Sequence, residues 1–140
     1  MKRIFILAFI SVLVACSSAN DTRKTRMVLY DTLQVTSTAY NSVSAQTTAD
    51  NPALAAWGDT LELGMRAIAI SRDLIDSGLV HNTAVYIEGF EQPFYVLDKM
   101  NKRWRNKVDI YMGLDIDSAR SWGKKQIEIY IPVDTIVVEK

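Results

Sequence analysis

From residue 33 to residue 131 the chain is a series of short apolar runs separated by polar turns. LQVTSTAY, 33–40, sets apolar Leu33 and Val35 against polar Gln34 and Thr36, the period of two of a half-buried strand. In MRAIAI, 65–70, Met65, Ala67 and Ala69 oppose Arg66, Ile68 and Ile70, which predicts a strand buried on much of both faces. RDLIDSGLVHNT reads as a short helix or turn ending near Gly78. AVYIEGFEQPFYVLD predicts strands at 84–88 and 94–98, joined by a turn with Gly89 and Pro93. VDIYMG is a further strand, and Asp115 or Asp117 caps a short helix stopped by Gly123. KQIEIYIPV alternates Ile127, Ile129 and Ile131 with Gln126, Glu128 and Tyr130, with Pro132 near its end, and TIVV supplies an edge strand. Short strands with brief helices point to a mostly β domain, a barrel closed so that no edge is left unpaired. The periodicity fits a sandwich equally well.

The N-terminus has a different pattern. Lys2 and Arg3 precede an apolar run from Ile4 to Val14, too short for the roughly 20 residues of a membrane span and suited to a secretory signal. LVAC, 13–16, resembles the lipobox of bacterial lipoproteins, which implies cleavage after residue 15 and acylation of Cys16, the sole cysteine. Ser17 in place of Asp implies, by the same resemblance, an outer-membrane lipoprotein facing the periplasm. A polar stretch, 16–30, reads as a tether and 31–140 as one domain. Cleavage removes two of the 16 basic side chains and none of the 16 acidic ones. The resulting net charge near −2 argues against general nucleic-acid binding.

Candidate chemistry gathers in FYVLDKMNKRWRNKVDIYM, 94–112, a basic loop with an aspartate at each end. Asp98 is in phase with Phe94 and Val96, and Asp109 shares a face with Tyr111. Partial burial would raise both carboxyls and the loop's Lys99, Lys102, Arg103, Arg105 and Lys107 would lower them. A carboxyl poised near neutrality suits general acid chemistry on a glycosidic bond. Trp104 offers a stacking face to a sugar, and the basic side chains suit the lactyl and peptide carboxylates of peptidoglycan. The plainer reading is that the two aspartates bracket a solvated loop and pair with its cations.

From about Leu33 to Ile131 the order of these motifs resembles the three-aspartate (3D) domain, found in the catalytic barrel of membrane-bound lytic transglycosylase A and in related cell-wall proteins. The resemblance rests on TSTAY with Tyr40, the Gly-containing approach AAWGDTLELGMRAIAISRDL, Asp98 followed eleven positions later by Asp109 in VDIY, then SARSWG and KKQIEIYI. It departs from the family at Ser71, which stands in the column of the first aspartate, with Asp73 two residues on.

The resemblance implies a six-stranded double-psi β-barrel. It also implies cleavage of the MurNAc–GlcNAc β-1,4 bond without water, giving a 1,6-anhydro end. Asp109 is then the acid and base, Asp98 its tuning neighbour and Asp73 the third carboxylate; Tyr40, Ser71, Lys99, Arg103 and Trp104 are the candidate substrate contacts. The alternative is a lipoprotein that binds peptidoglycan or an envelope protein partner without turnover. No cofactor or metal is implied, since His81 is the only histidine and has no second His or Cys to join it. His81 reads as a loop residue, and Trp122 as packing its helix onto the barrel.

Overall fold

The computed structural model describes residues 24–42 and 53–139. Six strands close into a barrel: β1 (Lys24–Tyr40), β2 (Ala67–Ile70), β3 (Ala84–Ile87), β4 (Phe94–Lys99), β5 (Lys107–Tyr111) and β6 (Lys125–Glu139), in the spatial order β1-β5-β2-β4-β3-β6. The pairs β1–β5 and β2–β4 are parallel and the other neighbours antiparallel. This is the mostly β, six-stranded closed barrel expected of a double-psi fold. The segment read as a leader, with Cys16 and Ser17, lies outside the described residues, and among the described residues no helix is long and apolar enough to cross a membrane.

Alternation explains which side of each strand is buried. Val35 on β1, Ile68 and Ile70 on β2, Val96 on β4, Val108 and Ile110 on β5 and Ile127 and Ile129 on β6 form one interior cluster. Ala67 and Ala69 of β2 face outward yet are buried as well. Ala67 packs in a second cluster with Ala55, Leu61 and Tyr111. The 53–61 segment that supplies Ala55 and Leu61 is a small folded loop, closed by the Leu54–Thr60 bridge and the Ala55 to Asp59 hydrogen bond. β2 is thus covered on both faces, as its composition requires. Ile129→Val, which removes one methylene from this fully buried interior, is expected to cost about 1 kcal/mol in a denaturant titration.

After β2 the chain makes a 3-10 turn, Arg72–Ser77, ended by Gly78 at φ 90°, a left-handed conformation that favours glycine. A short helix, α1 (Ile116–Trp122), is capped by Asp115, whose carboxylate accepts the Ser118 amide at 2.9 Å. Trp122 packs against the interior cluster and donates from Nε1 to Ser37 Oγ at 3.0 Å.

Two expectations are corrected at the chain ends. Residues 24–30, read as tether, are the start of β1 and pair with β6 from Lys24↔Glu139 to Leu29↔Asp134. β6 does not stop near Pro132 to leave a separate edge strand. It runs on to Glu139, with a register shift between Leu29 and Tyr30 that leaves Val133 unpaired beside Pro132. The missing proline N–H is tolerated beside such a bulge. Cross-strand hydrogen bonding decides both cases, because it acts on the backbone whatever the side-chain polarity.

Candidate functional site

Three neighbouring strands present one row of side chains on the outer face. Ala69 of β2 is paired with Asp109 of β5 on one side and with Asp98 of β4 on the other. Two strand spacings of about 4.8 Å put the two aspartate Cα atoms roughly 10 Å apart, with only the methyl of Ala69 between them. The row depends on an irregularity in β4. The register passes from Ile68↔Val96 to Ala69↔Asp98, leaving Leu97 as an extra residue. Simple alternation would put Asp98 on the interior side with Phe94 and Val96; the bulge changes the phase and delivers it to the outer face. Leu97 packs there against the outer cluster. The expected phase of Asp98 is therefore corrected, whereas Asp109 does share its face with Tyr111.

A pocket of about 220 Å³ opens over this row, lined by Tyr40, Ala69, Asp98, Lys99, Trp104 and Asp109, with Met100 and Asn101 at its edge. Five of the eight candidate residues thus meet in one place. The other three do not line it. Ser71 is fully buried, and its hydroxyl accepts the Lys107 amide at 2.9 Å while its own amide donates to the Lys107 carbonyl; it ties the end of β2 to the start of β5. Asp73 sits in the 3-10 turn and accepts the Asn106 amide at 2.9 Å. Arg103 is exposed, its guanidinium carbon 5.2 Å from the Trp104 ring centre.

The two pocket carboxyls are held differently. Asp109 accepts the Thr38 hydroxyl on Oδ1 at 2.7 Å, from the residue directly opposite it on β1. Burial raises its pKa above the ordinary carboxyl range and the charge of Asp98 adds to the rise, against the Thr38 hydrogen bond and Lys107. Asp98 accepts two amides on Oδ1, Ala56 at 2.6 Å and Lys99 at 2.8 Å. Burial raises it too, with Asp59 acting the same way and the two amides and the Lys99 charge opposing. Among the described residues no Lys or Arg forms an ion pair with either aspartate, so pairing with the loop's cations is not what positions them. At Asp73 burial also acts upward, but the Asn106 amide, Ser71 and Arg105 outweigh it and leave that carboxyl below its ordinary value.

Tyr40 closes the pocket from β1, its ring 5.5 Å from that of Tyr111. Its hydroxyl is buried without a hydrogen-bond partner among the described residues. Burial, then the charges of Asp98, Asp109 and Tyr111, push its ionisation far above the ordinary range. It stays a neutral phenol with a proton to offer an incoming acceptor.

A raised carboxyl pKa has a stability consequence of definite sign. Between the unfolded and folded values the native state binds more protons, so stability falls as pH rises through that window. Asp109→Asn, which keeps an acceptor for Thr38, is expected to raise Tm at pH 7 and to leave it unchanged near pH 3. A melting series over that range checks it, and an equal shift at both ends would refute the linkage.

Several residues of the site escaped the sequence. Thr38 lies in TSTAY, two positions before Tyr40 and on the same face, but nothing local marks it as the partner of Asp109. His81 lies 2.7 Å from Asp59 through Nε2 and stacks on Trp57 with 5.3 Å between ring centres, and Lys99 Nζ lies 4.7 Å from the Trp57 ring centre. These contacts pin the 53–61 loop whose Ala56 amide holds Asp98. They join residues distant in the sequence, so no local pattern signals them. Among the described residues no cluster of His, Cys, Asp and Glu is arranged to hold a metal ion. No protein-family model matches the chain, and comparison with curated proteins finds no match.

Proposed function

We propose that the protein is a cell-envelope lipoprotein of the 3D-domain type whose barrel cleaves peptidoglycan as a lytic transglycosylase. The observation that carries this reading is the pair of half-buried carboxyls, Asp98 and Asp109, facing one pocket beside Trp104. Their unequal hydrogen bonding supports a division of labour. With Oδ1 of Asp109 occupied by Thr38, Oδ2 is the oxygen left to give and take a proton. Asp109 protonates the leaving glycosidic oxygen and, once ionised, takes the proton of the muramyl 6-hydroxyl as that oxygen attacks the oxocarbenium-like carbon. Two amides stabilise the ionised form of Asp98, which suits it to face the positive charge that develops. Tyr40 donates to a sugar oxygen, and Trp104 stacks on a ring.

Because one carboxyl serves both steps, no fixed separation for an attacking water or a covalent adduct is needed. Lipid anchoring at Cys16 places the barrel on the periplasmic side of the outer membrane, where its glycan substrate lies. The test is to incubate the chain from residue 17 onward with purified peptidoglycan and look for 1,6-anhydro-muropeptides by mass spectrometry. Retention of the protein on peptidoglycan without anhydro products would favour the second reading, a lipoprotein that binds the wall or an envelope protein partner. The observations on that side are Ser71 and Asp73: both are committed to backbone partners, Lys107 and Asn106, and neither lines the pocket.

A further inference from the structure

Trp104 borders a second pocket as well. This one has a volume of about 180 Å³ and is lined by Thr36, Trp104, Arg105, Lys107 and Lys124, with three cations and no carboxylate in its wall. At about 30 Å³ per water it has room for roughly six water molecules, or for one acidic group with part of its hydration. Lys107 is the informative residue: only 9 % of it is exposed, so its stem is held against the protein while it contributes to the pocket wall, and a cation held in place that way favours an anionic partner. Its side chain finds only the Trp104 ring face, 3.9 Å from Nζ to the ring centre, and no carboxylate among the described residues completes an ion pair with it. Thr36 Oγ1 already accepts from Gln126 Nε2 at 2.9 Å, which leaves its own O–H free to donate into the pocket. Arg105 acts on Asp73 and Lys107 on Asp109 at a distance, so the cationic field is trimmed at its edges and not cancelled.

We propose that this pocket is a carboxylate subsite: it takes an acidic group of the peptide stem while the sugar that bears the stem lies on Trp104 and reaches into the Asp98–Asp109 pocket. The inference rests on the peptidoglycan reading and makes it more specific. One indole forms the wall between an acid-bearing pocket and a cationic one, so a single ligand spanning both needs a neutral ring between its scissile bond and its negative charge. A muramyl residue with its stem peptide has that order, and an unsubstituted glucosamine oligomer does not.

The experiment is a binding titration on the chain from residue 17 onward, which contains every described element, in the Asp109→Asn background so that no turnover intervenes. The probes are a peptidoglycan tetrasaccharide with free stem carboxylates, the same compound with those carboxylates amidated, and inorganic phosphate as competitor. The free-carboxylate form is expected to bind at least about tenfold more tightly, with an advantage that shrinks as salt is raised. Arg105→Gln with Lys124→Gln, both at exposed positions, should reduce that advantage severalfold, and adding Lys107→Gln should erase it. Equal affinity for the two forms, or an advantage that the double and triple substitutions leave undiminished, would overturn the subsite. Phosphate competing at equal strength against both forms would overturn its assignment to carboxylates. Carboxylate preference without anhydro products from the unsubstituted protein sinks the lytic reading alone; anhydro products without carboxylate preference sink the subsite alone.

Discussion

Asp109→Asn is expected to lower the release of anhydro-muropeptides by about a thousandfold, within the range by which general acid and base catalysis contributes, while the protein stays folded. The amide can still accept from Thr38, as the carboxylate does at 2.7 Å, but it has no acidic proton for the leaving oxygen and cannot take one from the 6-hydroxyl. Both steps of the proposed cycle fail together, so no partial product accumulates. Quantifying anhydro ends by mass spectrometry, with a melting curve on the same sample, separates lost chemistry from lost structure. Full activity in the variant would remove Asp109 from the mechanism. Asp98→Asn should be milder, because its part is electrostatic and two backbone amides continue to hold the side chain in place.

The second large effect is expected at a residue with no chemistry of its own. Ala69 is 5 % exposed and is paired with Asp98 on one strand and Asp109 on the other, so its methyl is the floor between the two carboxyls. Ala69→Leu would fill that floor and keep a ligand from approaching both. A displacement of about 1 Å at a reacting centre can cost a hundredfold, and a loss of at least about that size is expected here. The added side chain enters an open pocket and not the packed interior, so the stability cost should stay below the roughly 1 to 3 kcal/mol of core overpacking. Ala69→Ser, nearly the same size, should retain most activity. An active Ala69→Leu protein would mean that cleavage happens elsewhere on the molecule.

These two residues illustrate how unevenly the site could be read from the chain. Asp109 is visible in VDIY because a lone carboxylate in an apolar strand has few uses there. Ala69 is not visible, because a small residue in AIAI looks like packing until the neighbours of β2 are known. The same holds for Lys107, one cation among several in KMNKRWRNK, whose burial depends on where Trp104 comes to lie. Ser71 is a different case: placed by resemblance in an aspartate column, it turns out to carry a structural hydrogen bond between β2 and β5. Asp73, two residues later, accepts from the Asn106 amide and does not line the pocket.

What the sequence determined by itself was local: the period of two that makes β2, β5 and β6 strands, the turn residues that end them, the caps of α1, and the location of two carboxylates on strands. Alternation and capping depend on neighbours a few positions apart, so the chain records them directly. Only the tertiary structure decided the closure of the barrel, the strand order, the extension of β1 back to Lys24 and the bulge at Leu97 that puts Asp98 beside Ala69. Each of these depends on which backbone hydrogen bonds are made between strands far apart in sequence. A shift of one residue in that pairing reverses the face on which a side chain appears. The candidate catalytic pair exists because such a shift occurs in β4, at a step that the order of residues in FYVLDK does not reveal.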